Sequence, residues 1–131
     1  MDNNLVGVYI GVGSNIDPED NIIEALKLLN KYVEVTGISS FYKTRPLMGS
    51  NQDDFLNGVW EIRTTMSPYA LKYDVLRAIE DGLHRIREDD KNAARTIDLD
   101  LLLFGDMVIK EEGFDIPDPD IYNRSFIAFP L

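Results

Sequence analysis

The run Leu5-Val6-Gly7-Val8-Tyr9-Ile10-Gly11-Val12 is short, apolar and β-branched, the pattern of a buried strand. Gly13-Ser14-Asn15 after it reads as a tight turn, and a helix start follows. Asp17 can cap that helix, Pro18 suits its first position, and Glu19 and Asp20 oppose the positive end of its dipole. Ile22, Ala25, Leu26, Leu29 and Val33 then keep the spacing of one helical face. Val33 to Thr44 is extended and rich in β-branched and aromatic residues, and Pro46 and Gly49 mark a polar loop through Gln52.

Phe55 to Thr65 reads as a further strand, followed by a second capped start at Ser67-Pro68. Leu71, Val75 and Ile79 share a helical face, Gly82 lies near that helix's end, and the charged stretch from Leu83 to Ala94 reads mainly as loop. Ile97 to Phe104 is strongly strand-like, and Gly105-Asp106 can turn it into a short hairpin with Met107-Val108-Ile109. Pro117 and Pro119 break regular structure before a last apolar stretch. The order β-α-β-β-α-β is the outline of an α+β, ferredoxin-like sandwich with helices on one sheet face and a small extra hairpin.

Composition narrows the class without naming a function. The chain has 131 residues, 44% hydrophobic and 27% charged, which suits one globular domain over residues 1–131. No repeat or linker divides it, and its apolar runs are too short for a membrane span. Nothing near the N-terminus resembles an export signal, so a cytoplasmic protein is expected; a monomer is the expected state. With no cysteine there is neither a disulfide nor a thiolate site. The formal net charge of -10 disfavours broad contact with nucleic acid or anionic membranes, although a local basic pocket is compatible with it.

Asp98-Leu99-Asp100 is the sharpest chemical signal. In a strand the two aspartates share a face with Cα atoms about 6.5–7 Å apart, while Ile97, Leu99, Leu101 and Leu103 point the other way. Such a pair can hold one or two hard divalent ions, or it can be the solvated acidic face of an edge strand. Leu102 and Phe104 continue the aspartate face with apolar groups, which favours the first reading. Residues 85–95 contain Arg85, Arg87, Lys91 and Arg95, four cations where an even spread of 13 over 131 residues would place about one. Arginine forks suit phosphate oxygens, although Glu88, Asp89 and Asp90 could instead pair with these cations in a solvated loop. Together the acidic pair and the basic run suggest phosphoryl-type chemistry.

Other patterns exclude more than they suggest. Gly11-Val12-Gly13-Ser14-Asn15-Ile16 lacks the third glycine of a dinucleotide fingerprint, and no P-loop lysine follows. His84 is the single histidine, which excludes a histidine metal cluster and reads as an exposed side chain. Ser14, Ser39, Ser40 and Ser67 have no nucleophile-elbow context. Phe55 and Asn57 share a strand face, where they could stack on and hydrogen-bond to a flat heterocycle or simply pack in the core.

With those residues in place, the chain resembles the hydroxymethyldihydropterin pyrophosphokinase family over essentially its whole length. The matching segments are Tyr9 to Asn15, Ser39 to Thr44, Gln52 with Asp54 to Asn57, Ile79-Glu80, Arg85-Ile86-Arg87 and Arg95 to Leu102, with Arg124 and Phe126 near the end. The resemblance implies a ferredoxin-like core and transfer of pyrophosphate from ATP to the pterin hydroxymethyl group, releasing AMP. It implies that Asp98 and Asp100 hold two Mg2+ ions, and that Arg85 and Arg95 stabilise charge at the β-phosphorus. Glu80, Arg87, Lys91 and Arg124 would line the nucleotide site, and Thr44, Leu47, Phe55, Asn57 and Phe126 the pterin site.

Several positions depart from the family pattern. Arg-Trp-Gly-Pro-Arg is replaced by Lys91-Asn92-Ala93-Ala94-Arg95, the usual Pro-His by Pro117-Asp118, a proline by Arg45 and a glycine by Met48. Relatives also usually continue beyond the position of Leu131. The metal and phosphate residues are thus kept better than the lid and the pterin clamp. Two alternatives follow: the same ATP machinery acting on another acceptor, and a non-catalytic nucleotide- or pterin-binding relative. Retention of Asp98, Asp100, Arg85, Arg87 and Arg95 speaks against the second.

Overall fold

The computed structural model describes residues 5–44, 55–83, 96–111 and 114–118. Strand β1 (Val6–Ser14) alternates strictly enough to put Val8, Ile10 and Val12 on one face with almost no exposure, while Tyr9, Gly11 and Gly13 take the other. Helix α1 (Pro18–Leu29) lays Ile22, Ala25 and Leu29 on the first of these faces. The helix stops at Leu29, so Val33 belongs to the turn beyond it, although it is still buried in the same core.

Two expectations at this junction are corrected. Gly13 and Ser14 are strand residues, not turn residues, and the reversal falls at Asp17, whose φ of 40° is left-handed. The Asp17 side chain makes no capping bond there. Its backbone carbonyl instead accepts the Asn21 N–H at 3.0 Å, and Asn21 Nδ2 donates to the Ile16 carbonyl at 2.6 Å. A short polar side chain tolerates the left-handed region better than most, which explains an aspartate at that position.

The extended stretch after α1 divides into β2 (Glu34–Ile38) and β3 (Tyr42–Thr44), both antiparallel to β4 (Phe55–Thr64). Ser39 fills the break: its N–H donates to the Val59 carbonyl at 2.9 Å and its Oγ accepts the Val59 N–H at 2.8 Å. The second helical segment begins as expected, with Ser67 Oγ accepting the Ala70 N–H at 3.1 Å and Pro68 at the first position. It runs without a break through α2 (Pro68–Ala70), a π-helical stretch (Leu71–Leu76) and α3 (Arg77–Gly82). Leu71, Val75 and Ile79 are buried as the spacing predicts, and the wider π turn also buries Leu76.

Strand β5 (Asp98–Phe104) completes a sheet in the order β2-β4-β1-β5, every pairing antiparallel, with β3 continuing the β2 side against β4. This is the ferredoxin-like α+β arrangement, and both helical segments pack on the face of Val8, Trp60, Ile62 and Leu101. The expected hairpin at Gly105 is corrected. Gly105, at φ 53°, does turn the chain, but Met107 and Val108 are exposed and Ile109 does not fold back on β5. It pairs with Ile116, in a separate two-stranded unit of β6 (Ile109–Glu111) and β7 (Phe114–Ile116). Among the described residues no helix is long and apolar enough to cross a membrane.

The face opposite α1 and α3 carries a polar network. Glu61 accepts from the Tyr9 hydroxyl at 2.8 Å and from Thr36 Oγ1 at 2.7 Å. Those two donors, Thr36 first, with help from Arg63, hold its carboxyl below the usual glutamate range, while the Glu61 bond raises the Tyr9 phenol. A depressed carboxyl stabilises the fold above the unfolded pKa, and that contribution is lost as pH falls through the folded value. Tyr9→Phe should therefore move the Glu61 pKa upward towards the ordinary glutamate value in a carboxyl-carbon NMR titration. An unchanged titration would refute the network.

Candidate active site

The register of the sheet assembles the site. Asp98 lies opposite Gly13, Gly13 opposite Asn57, and Asn57 opposite Tyr42, so these residues form one row across four strands. In the adjacent row Asp100 faces Gly11 and Gly11 faces Val59; beyond Asn57, Thr44 pairs with Phe55. Directly paired residues share a sheet face, so the acidic pair, Asn57 and Phe55 all lie on the face opposite α1 and α3. Asp98 is half-buried and Asp100 exposed, whereas Asn57 is enclosed.

Two glycines make this arrangement fit. A methyl group on Gly13 would lie 2.7 Å from Asn57 Oδ1, so the Asn57 carboxamide lies over β1, in the row that leads to Asp98. A methyl on Gly11 would meet Leu102 Cδ2 at 3.3 Å. Gly13, expected in a turn, lies two residues beyond Gly11, and in a strand that spacing places both on one face.

Strict alternation along β5 fails after Leu101, and this corrects the expected faces of Leu103 and Phe104. Leu101 pairs with Ile10 but Leu103 pairs with Tyr9, leaving Leu102 as the extra residue of a bulge. Phe104 thereby returns to the helix-covered core, and Leu103 moves to the aspartate face. Leu102 is buried there beside Val59, with Tyr9 and Leu103 against them. The bulge thus builds an apolar wall at one end of the acidic pair.

Backbone bonds hold β5 at three points. At its entry Ser14 Oγ donates to the Thr96 carbonyl at 2.6 Å. In its middle the Leu99 N–H donates to Glu80 Oε2 at 2.9 Å, and further on the Asp118 N–H donates to the Leu102 carbonyl at 2.9 Å. Glu80 is thus placed on the Leu99 backbone, and Asp118 beside β5. Thr96 Oγ1, two residues before Asp98, is enclosed without a hydrogen-bond partner. Ser14, Thr96, Gly11 and Gly13 carry no chemical signal of their own in the sequence, because each acts through a cross-strand neighbour.

Arg85, Arg87, Lys91, Arg95, Leu47, Arg124 and Phe126 lie outside the described residues, as do His84, Arg45, Met48 and Asn92 to Ala94. Among the described residues no three His, Asp or Glu side chains gather into a metal-holding group. Two carboxylates on one strand face are nonetheless a donor set that suits Mg2+.

Fold and site together define an α+β sandwich enzyme whose acidic strand pair faces a carboxamide across glycine, on the open side of the sheet. Residues 9–131 match the family described as 7,8-dihydro-6-hydroxymethylpterin-pyrophosphokinase. A Haemophilus influenzae protein named 2-amino-4-hydroxy-6-hydroxymethyldihydropteridine pyrophosphokinase is 38% identical over 130 residues, covering 97% of this chain and 80% of its own. The Bacillus subtilis protein of that name is 40% identical over 126 residues, 94% of this chain and 74% of its own. The Aquifex aeolicus protein is 34% identical over 128 residues, 97% and 79% respectively. The chain belongs to the 7,8-dihydro-6-hydroxymethylpterin-pyrophosphokinase family.

The tight fit at Gly13 is directly testable. Gly13→Ala should force the Asn57 carboxamide off β1 at a cost of about 1–3 kcal/mol, the usual range for overpacking. Shifted Asn57 side-chain amide resonances, with Trp60 unmoved, are the expected NMR result. Unshifted Asn57 resonances would mean that the methyl is accommodated without displacing it.

Proposed function

We propose that the chain is a pyrophosphokinase that transfers the terminal pyrophosphoryl group of ATP to the hydroxymethyl oxygen of 6-hydroxymethyl-7,8-dihydropterin, a step of folate biosynthesis. The hydroxyl oxygen bonds to the β-phosphorus, the bond from that phosphorus to the α-bridging oxygen breaks, and AMP leaves with that oxygen while the hydroxyl proton is released. The observation that supports this reading is the row Asp98–Gly13–Asn57–Tyr42, in which an acid and a carboxamide share one sheet face with only a glycine between them.

The family resemblance gives each residue a part that its chemistry suits. Asp98 and Asp100 offer hard oxygen donors for two Mg2+ ions, which when bound supply positive charge to the triphosphate oxygens. Arg85 and Arg95 supply donors for charge that grows at the β-phosphorus, and Arg87, Lys91 and Arg124 bind the nucleotide. Asn57 hydrogen-bonds the pterin edge and Phe55 stacks on its ring, with Thr44, Leu47 and Phe126 completing that site. The domain spans residues 1–131 and acts as a cytoplasmic monomer.

The departures at Asn92, Ala93 and Ala94 concern the acceptor end, so another acceptor is the competing reading. Release of AMP from ATP, magnesium and the reduced pterin separates the two. AMP release that does not depend on the pterin would overturn the proposed acceptor.

Asp98→Ala or Asp100→Ala should abolish turnover, a loss of several kcal/mol or about a hundredfold or more, with little change in Tm. Activity at saturating ATP and magnesium equal to wild type would remove the metal assignment. A Tm drop of several degrees would instead point to a structural role.

Arg85→Ala and Arg95→Ala should lower kcat by about 3–4 kcal/mol while weakening ATP binding less, because a donor aimed at developing charge acts mainly in the transition state. Unchanged kcat with a raised KM for ATP would show that these arginines bind only the ground state.

A further inference from the structure

Glu80 is a carboxylate with 4% exposure, set on α3. Burying such a group is costly unless a donor repays it, and one donor here is not a side chain. It is the N–H of Leu99, 2.9 Å from Glu80 Oε2, in the peptide unit that joins Asp98 to Leu99, one residue short of Asp100. Among the described residues β5 is the last strand of its sheet, and no further strand there accepts this N–H. Leu99 is itself buried, which leaves little water to replace the carboxylate. A charged acceptor makes a shorter and stronger bond than a neutral one, so the contact is suited to holding an edge strand that would otherwise fray.

We propose that Glu80 is a positioning residue for the acidic pair, clamping the β5 backbone between Asp98 and Asp100 from the helical side. The inference rests on the metal role given above to those aspartates. Ser14 at the Thr96 carbonyl and the Asp118 N–H at the Leu102 carbonyl hold the two ends of the same segment. Glu80 holds its middle, through a side chain that comes from a helix. The helix thereby fixes how the two carboxylates sit relative to Gly13 and Asn57, and small misplacements of such groups are catalytically expensive.

The test compares Glu80→Ala and Glu80→Gln in the full chain. Its readouts are Leu99 amide exchange by NMR, Mn2+ affinity by EPR with a non-hydrolysable ATP analogue, and kcat and KM for ATP. In Glu80→Ala, Leu99 exchange should accelerate about tenfold or more, as expected for a buried N–H that loses its acceptor. Mn2+ affinity and kcat should fall about tenfold or more, the usual loss when a partner behind a metal ligand is removed, with KM for ATP little changed. Glu80→Gln keeps an oxygen for the same N–H, so it should retain Leu99 protection and most of the Mn2+ affinity.

Glutamine as damaging as alanine, with a raised KM for ATP, would overturn the clamp in favour of direct nucleotide contact. Wild-type Leu99 protection in the alanine variant would overturn it as well. If Glu80→Ala does not fold, Glu80→Met takes its place, and near-normal Mn2+ affinity in it counts against the proposal. Asp98→Ala in the same EPR assay separates the two levels. If it binds Mn2+ like wild type, the metal assignment itself fails; if it loses Mn2+ while Glu80→Ala does not, only the clamp fails.

Discussion

β5 runs antiparallel to β1 with Asp98 opposite Gly13 and Asp100 opposite Gly11, and that register governs the rest of the structure. A slip of one residue would turn Leu99 and Leu101 out of the core and drive two carboxylates into it. Burial of Leu99 and Leu101 beneath the helices therefore holds the aspartates on the open face. Core packing and site geometry are two consequences of one pairing.

The bulge at Leu102 belongs to the same constraint. Without an extra residue there, β5 could not put Leu101 and Phe104 on the helix side and Leu102 and Leu103 on the other. Its product is a divided open face. One end is walled by Val59, Leu102, Tyr9 and Leu103 and tied by Glu61, and the other presents Asp98 and Asn57. The helical layer also reaches the site, since α3 places the Glu80 carboxylate on the backbone between the aspartates.

Charge follows a similar division. A chain of net charge -10 that handles a polyphosphate must concentrate its cations, and residues 85–95 carry four of its 13. That run joins α3 to β5 in sequence, between Glu80, which touches β5, and Thr96, which Ser14 ties to β1.

Much of the architecture was legible because local rules agree with the tertiary result. The strand around Val8 to Val12, the start at Ser67-Pro68, the face of Leu71, Val75 and Ile79, and the shared face of Asp98 and Asp100 each follow from a spacing of two or of three to four. The candidate chemistry was visible for the same reason, since two acids at a spacing of two stay together in any strand. Which strand faces them is a different matter. Gly13 looked like a turn because glycine has no side chain to declare a face; Asn57 lying over it is set by pairing across 44 residues of chain. The bulge, the pairing of Ile109 with Ile116 and the Glu80 bond to Leu99 are likewise set by contacts distant in sequence. Most of the elements, and the common face of Asp98 and Asp100, follow from neighbours a few residues apart. Only the tertiary structure decided which groups meet, because pairing register and helix placement are settled by burial summed over the whole core.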